Sequence, residues 1–281
     1  MQTLILGTAQ WGSAYGVTNQ VGRLDDRGLA ELVVTARERG ITGLDTAPGY
    51  GDAEERIARW GDGFAIATKV IGAGTASVID QIKDSLARLG RSRVERCLVH
   101  DWPTLLREQR AATVRALGEA RDLGLIAAAG VSGYTADDLT AALEFDGILS
   151  IAQVPANVLD QRLDDSGPVR ELRELGWTLQ ARSVFLQGVL AAPSQGRFGR
   201  HPATLAVASE ASLRGIRMID LAASYVASRN WIDEVVVGVT SAAELVDVAS
   251  ALSAKARVDE SALRGLASDD ADLIDPRRWN R

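Results

Sequence analysis

A single cysteine, Cys97, lies inside an apolar run, so no intramolecular disulfide can form and a reducing, cytoplasmic location is expected. Basic residues are not in excess: 31 Lys and Arg against 37 Asp and Glu give a formal net charge of −6. That balance leaves no electrostatic footprint for nucleic acid or an anionic membrane surface, and neither partner is expected. No apolar run reaches transmembrane length, and Met1-Gln2-Thr3-Leu4-Ile5-Leu6-Gly7 lacks the basic region and long apolar core of an export signal. Two separated histidines, His100 and His201, and one cysteine do not make a zinc site, so no metal is expected. Gly-x-Ser-x-Gly is missing too, which disfavours a serine hydrolase.

What the chain does have is apolar content, 46% of 281 residues, enough for one sizeable core and for a single domain spanning 1–281. Short apolar runs near 2–7, 41–46, 64–70, 94–100, 125–131, 147–154, 177–183 and 233–239 read as strands. Between them, three- and four-residue apolar spacing predicts helices over 26–39, 52–60, 75–89, 105–123, 136–144, 166–175 and 204–228, with another over 241–252. Runs such as Glu234-Val235-Val236-Val237-Gly238-Val239 are apolar without alternation, as in a parallel sheet covered on both faces. Strict alternation of strand and helix gives an α/β chain folded as a (β/α)8 TIM barrel. The competing doubly wound sheet would carry Gly-x-Gly-x-x-Gly after its first strand, where this chain reads Gly7-Thr8-Ala9-Gln10-Trp11-Gly12. Gly40, Gly90, Gly124 and Gly176 stand where helices end before strands and predict left-handed caps. Thr135-Ala136-Asp137-Asp138 and Ser241-Ala242-Ala243-Glu244 predict capping boxes.

Reactive side chains are scarce and placed at strand ends. The only lysines are Lys69, Lys83 and Lys255, and the only tyrosines Tyr15, Tyr50, Tyr134 and Tyr225. Asp45 closes Ile41-Thr42-Gly43-Leu44, Lys69 closes Phe64-Ala65-Ile66-Ala67-Thr68, and His100 closes Val94-Glu95-Arg96-Cys97-Leu98-Val99. A parallel barrel gathers the carboxyl ends of its strands at one mouth, so these residues, with Tyr50, are expected to converge there. Together they would make a proton-transfer device for a carbonyl. Hydride addition leaves an alkoxide that needs a proton, and a free phenol near pKa 10 is a reluctant donor at neutral pH. An ammonium beside the phenol stabilises the phenolate left behind, and a carboxylate keeps that ammonium charged and oriented. An imidazole on the other side would hold the carbonyl oxygen.

Asp45-Thr46-Ala47-Pro48-Gly49-Tyr50-Gly51, Thr68-Lys69-Val70, Ser85-Leu86-Ala87-Arg88-Leu89-Gly90, Leu98-Val99-His100, Gly130-Val131-Ser132, Gln153 and Val237-Gly238-Val239-Thr240-Ser241 resemble the aldo-keto reductase superfamily, in order and over nearly the whole chain. The opening Leu6-Gly7-Thr8-Ala9-Gln10-Trp11-Gly12 and the ending Asp275-Pro276-Arg277-Arg278-Trp279 look like a compact bacterial branch of it, associated with sugar or natural-product metabolism. The resemblance implies an NAD(P)-dependent oxidoreductase with Asp45, Tyr50, Lys69 and His100 as its catalytic tetrad. Ser132 and Gln153 would meet the nicotinamide carboxamide, and Ser183, Leu186 and Gly188 the pyrophosphate. Gly133 departs from the family's usual Asn, which removes one amide contact.

Arg182 replaces a stacking aromatic, and its planar guanidinium could stack likewise or reach the pyrophosphate. Gly238, Val239, Thr240 and Ser241 open a helix whose amides could hold a phosphate. Glu244 stands where NADP-preferring members carry a basic residue, which points toward NAD, although Arg197, Arg200 or Arg214 could compensate; equally, Glu244 serves as a capping-box carboxylate. Trp11 and Trp102, after the first and fourth strands, are expected to wall the substrate cleft. The substrate is expected to be a small, sugar-like or natural-product carbonyl or alcohol, on a monomer or weak homo-oligomer. Two alternatives share the scaffold: a redox-neutral, NAD-assisted dehydratase or epimerase, and a non-catalytic cofactor-sensing subunit.

Overall fold

The apolar runs fold as strands β1 (Thr3–Gly7), β2 (Gly43–Asp45), β3 (Ala65–Val70), β4 (Val94–Val99), β5 (Ile126–Ser132), β6 (Leu149–Pro155), β7 (Thr178–Arg182) and β8 (Glu234–Gly238). The computed structural model describes residues 2–74, 76–192, 196, 198–254 and 258–279 of the chain. All neighbouring strands run parallel and the sheet closes on itself in sequence order, with Thr3 opposite Glu234 and Gly7 opposite Gly238. This is the (β/α)8 barrel that the alternation of runs predicts. Seven of the strands are one to three residues shorter than their apolar runs, because the flanking residues belong to the turns, and β5 is as long as its run but displaced by one residue.

Helices α1 (Ala9–Gly12), α2 (Asp26–Glu38), α3 (Ala53–Trp60), α4 (Val78–Leu89), α5 (Arg107–Asp122), α6 (Ala136–Leu143) and α7 (Gly167–Glu174) follow the first six strands, α1 and α2 both after β1. Further on come α8 (Pro202–Leu213), α9 (Met218–Ser228), α10 (Ala242–Ala254), α11 (Glu260–Arg264) and α12 (Ala271–Ile274). In α2, Leu29, Leu32, Val33 and Ala36 share the face turned to the sheet and are all buried. A fully buried aliphatic side chain of this kind contributes about 1.5–3 kcal/mol. Asp25 caps that helix by accepting the Gly28 N–H at 2.7 Å. Gly40, Gly90, Gly124 and Gly176 take φ of 70°, 61°, 73° and 79°, the left-handed geometry expected at those helix ends.

The single helix expected over 204–228 is two. Its register breaks at Gly215, which adopts φ of 65°, and α9 restarts when the Arg217 N–H is taken by the Asp220 carboxylate. Apolar spacing continues across the break because both helices lay an apolar face on the barrel, so periodicity alone could not register it.

The carboxyl ends of the strands set the level of the site. Gly7 pairs with Asp45, Ser132 with Gln153, Pro155 with Arg182 and Gly7 with Gly238, so these residues share one rim. Among the described residues, no helix is long and apolar enough to cross a membrane.

Candidate active site

β2 and β3 lie side by side, which puts the last residue of one near the penultimate residue of the other. Lys69 Nζ donates to Asp45 Oδ1 at 2.6 Å and to the Thr46 carbonyl at 2.9 Å, with both charged side chains almost fully buried. Burial alone would pull the Lys69 ammonium below its ordinary pKa. The Asp45 carboxylate, with neighbouring Tyr50, outweighs it and holds the value above the ordinary range.

Tyr50 is carried by the loop between β2 and α3, and two glycines hold that loop in place. A Cβ on Gly12 would stand 1.8 Å from the Tyr50 carbonyl, and one on Gly51, already at φ of 63°, would stand 2.2 Å from the Gly12 carbonyl. Only bare backbone permits this approach. The phenol ring thereby lies 5.2 Å from Lys69 Nζ and edge-on to His100, with ring centres 6.2 Å apart. Burial, then the charges of Lys69 and Arg182, lowers the His100 pKa from 6.5 to about 4, so its imidazole is neutral at pH 7. All four groups line one cavity of about 880 Å³ at the barrel mouth.

Ser132 and Gln153 stand beside the tetrad on β5 and β6, and both line the cavity. Gln153 Nε2 donates to Asp45 Oδ2 at 2.7 Å and to Gln180 Oε1 at 3.0 Å. Arg182 also lines the cavity but stacks on Tyr134, its guanidinium 4.1 Å from the ring centre, and donates to the Gly133 carbonyl at 3.1 Å. Arg277, held by Asp275 at 2.6 Å, lies 3.6 Å from the centre of the same ring.

Three residues outside glycine are forced into left-handed backbone after β7: Ser183, Leu186 and Gln187, at φ of 56°, 47° and 53°. Such strain costs of order 1–3 kcal/mol per residue and persists where a site needs that shape. The strained turn meets Thr18 of the first loop, whose hydroxyl donates to the Gln187 carbonyl at 3.0 Å. A Cβ on Gly188 would lie 1.9 Å from that hydroxyl. Ser183 and Gly188 line the cavity, whereas Leu186 is fully buried beneath it.

At β8, Gly238 and Thr240 line the cavity, while Val239 turns into the core and Ser241 sits behind as the cap of α10. Glu244 lines the cavity and also closes the helix start: its Oε2 accepts Thr240 N–H at 2.6 Å and Thr240 Oγ1 at 2.8 Å. A carboxylate thus takes the backbone donor that a phosphate at this helix start would use. Arg214 is paired with Glu210 and Asp259 and does not line the cavity, nor does Arg200; Arg197 lies outside the described residues.

Trp11 and Trp102 do not wall the cleft. Trp11 sits within α1 and Trp102 opens a helical turn shortly after β4, and each turn swings its indole into the core, where both are 0% exposed. Trp102 Nε1 donates to the Asp138 carbonyl at 2.9 Å, with Phe145 edge-on and Arg110 against its ring. The walls are formed instead by Tyr134 and Arg277, with Gln10 below. Tyr134 carries the same signal that marked Tyr50, a scarce tyrosine just past a strand end. Arg277 carries none, since only the folded chain brings its tail back to β5.

The cavity suits a nicotinamide dinucleotide. Gln10 Oε1 and Gln187 Nε2 are buried without hydrogen-bond partners, and a side chain on Gly238 would reach within 2.3 Å of that Gln10 oxygen. Among the described residues, no group of His, Cys, Asp and Glu could hold a metal ion.

The model of the Aldo/keto reductase family matches residues 3–263. The chain belongs to the aldo/keto reductase family. It is 33% identical over 131 residues to 2,5-diketo-D-gluconic acid reductase B of a Corynebacterium species, covering 44% of this chain and 47% of that one. It is 26% identical over 182 residues to aldo-keto reductase YhdN of Bacillus subtilis, covering 58% and 51%. The chain thus spans about half the length of the curated relatives it matches. Among solved structures, the thermostable aldo-keto reductase Tm1743, in complex with the inhibitor epalrestat, superposes with a TM-score of 0.72 at 23% identity over 95% of both chains. At that identity the likeness concerns the fold.

Proposed function

We propose that this family member is an NAD(P)-dependent oxidoreductase interconverting a carbonyl and an alcohol on a small, sugar-like molecule. The observation that carries this reading is the convergence of Tyr50, Lys69, Asp45 and His100 on one rim, with the Lys69 ammonium buried at 2.6 Å from the Asp45 carboxylate. Bound nicotinamide would supply the hydride. Ser132 and Gln153 would hold its carboxamide, and Ser183, Gly188, Gly238 and Thr240 the remainder, from the cavity they line.

Tyr50 delivers the proton to the developing alkoxide. Lys69 stabilises the phenolate that results, and Asp45 keeps Lys69 charged and pointed at it. His100, neutral at pH 7, donates a hydrogen bond to the carbonyl oxygen and gives up no proton. Run in reverse, the same groups take the proton from an alcohol. Polar and charged side chains at the mouth, Arg182 and Arg277 among them, suit a polyhydroxylated or acidic substrate. The likeness to the Corynebacterium 2,5-diketo-D-gluconic acid reductase B supports that class. Glu244 at the start of α10 supports NAD over NADP.

Tyr50→Phe tests the assignment. Turnover of an aldehyde, ketone and sugar panel, followed by nicotinamide absorbance, is expected to fall by at least about 10³-fold while the NADH dissociation constant changes less than threefold. Retained turnover removes Tyr50 from its role. Wild-type protein that binds NADH yet turns over nothing favours a sensing subunit, and substrate conversion without net cofactor change favours a redox-neutral enzyme.

A further inference from the structure

A chain of hydrogen-bonded side chains runs up the inside of the barrel from its floor to the site. At the floor, Arg96 of β4 crosses the lumen to Glu234 of β8, pairing Nη1 with Oε2 and Nη2 with Oε1. Gln180 Nε2 donates to Glu234 Oε2 at 2.6 Å, and Gln180 Oε1 accepts from Gln153 Nε2 at 3.0 Å. The same Gln153 nitrogen donates to Asp45 Oδ2 at 2.7 Å, which joins the chain to the tetrad. Gln180 is 0% exposed and Gln153 1%. Barrel interiors are ordinarily filled with branched apolar side chains. Amides and an ion pair in their place are seldom more stable than a well-packed apolar filling, so stability alone does not account for them.

The chain has a direction. An ionised carboxylate only accepts hydrogen bonds, and there is one at each end. Glu234 therefore turns the Gln180 NH₂ toward the floor and its carbonyl toward Gln153. Gln180 and Asp45 then engage both amide hydrogens of Gln153, so the carbonyl Oε1 is what that residue has left for the cavity it lines.

We infer that Arg96, Glu234 and Gln180 are positioning residues that fix the amide of Gln153 with its acceptor toward the cofactor, so that the pocket selects the N–H of the nicotinamide carboxamide. The inference rests on the proposed reading of the cavity as a nicotinamide site. Arg96 matters because it compensates the Glu234 charge from which the direction originates. Reversing the polarity at the floor would propagate upward one amide at a time.

Glu234→Gln makes that reversal at constant volume. Arg96 claims the new amide oxygen, an N–H faces Gln180, and Gln180 can satisfy it only by turning its own N–H against that of Gln153. Gln180→Met cuts the chain with a side chain of similar length. The dissociation constants to measure by titration calorimetry are those of NAD⁺ and of 3-acetylpyridine adenine dinucleotide, whose acetyl group accepts but cannot donate. Thermal midpoints are recorded alongside. Wild-type protein is expected to prefer NAD⁺ by about tenfold, the equivalent of one hydrogen bond, and both variants to narrow that ratio to about twofold. A ratio that both variants keep, whatever their thermal midpoints do, overturns the inference and leaves the chain a packing feature. If one variant does not fold, the other carries the measurement. Wild-type protein that binds neither dinucleotide refutes the nicotinamide site itself, whereas binding of both with an unchanged ratio refutes only the polar chain.

Discussion

Asp45→Asn removes one charge of a pair that water does not reach, since the Lys69 and Asp45 side chains are 1% and 4% exposed. At 2.6 Å and an effective dielectric of about 20, the attraction is about 6 kcal/mol before desolvation is subtracted. Removing one partner of such a pair leaves the other buried and uncompensated, at a cost of about 3–5 kcal/mol. In a chain of this size that lowers the thermal midpoint by on the order of 10 °C. Lys69→Met is expected to cost a similar amount, because Asp45 then keeps only the Gln153 amide as its side-chain donor.

The double variant is the decisive arm, because with both charges gone nothing buried is left unpaired. Its loss should fall short of the sum of the single losses by about 2 kcal/mol or more, read from urea unfolding monitored by circular dichroism. Additivity within about 0.5 kcal/mol would show that the two groups do not act as an ion pair. The pH dependence supplies a second check with a definite sign. The folded pKa of Lys69 lies above its ordinary 10.5, so the stabilisation is complete below pH 10.5 and lost as pH rises through the folded value. In Asp45→Asn, burial acts on the ammonium without Asp45 to oppose it, so the folded pKa of Lys69 falls and the alkaline loss should shrink or turn into a gain.

Three further outcomes are expected. His100 titrates at 6.5 when exposed but at about 4 when folded, so the unfolded chain binds the proton first and stability falls as pH drops from 6.5 toward 4, by on the order of 3 kcal/mol. His100→Gln should flatten that part of a urea-midpoint profile, and an unchanged slope would contradict the buried neutral imidazole. Glu244 predicts tighter binding of NADH than of NADPH in side-by-side fluorescence titrations, with Glu244→Arg shifting the ratio toward NADPH by about tenfold or more; clearly tighter NADPH binding by the wild type would remove the preference. Trp102→Ala should lose about 3–5 kcal/mol of stability and leave the KM of a small aldehyde within twofold, whereas a tenfold KM increase with stability intact would return Trp102 to the cleft wall.

The barrel was legible because parallel strands buried on both faces must read as short apolar runs, and the helices between them as periodic ones. Asp45, Lys69 and His100 were legible for the converse reason: an ionisable residue ending such a run emerges at the mouth. That logic fails where side-chain direction depends on the turn that follows the strand. Trp11 and Trp102 follow strands, yet one helical turn rotates each into the core. Gln180 was illegible for a different reason, since an amide in the middle of β7 reads as a break in an apolar run until its partners on β6 and β8 are seen. Glu244 carried two meanings at once, and the fold assigns its oxygens to Thr240. The break at Gly215 was hidden by apolar spacing that both α8 and α9 need.

The contact between Gly12 and Gly51 leaves the loop that carries Tyr50 with no slack. A methyl group at either glycine would collide with peptide backbone rather than with a yielding side chain, so this half of the mouth has nowhere to drift. Diversification toward new substrates must then begin on the opposite bank, where Tyr134, Arg182 and the tail residue Arg277 meet in a stack of planar groups. Directed evolution of this scaffold would accumulate its useful changes there, around an anchored Tyr50.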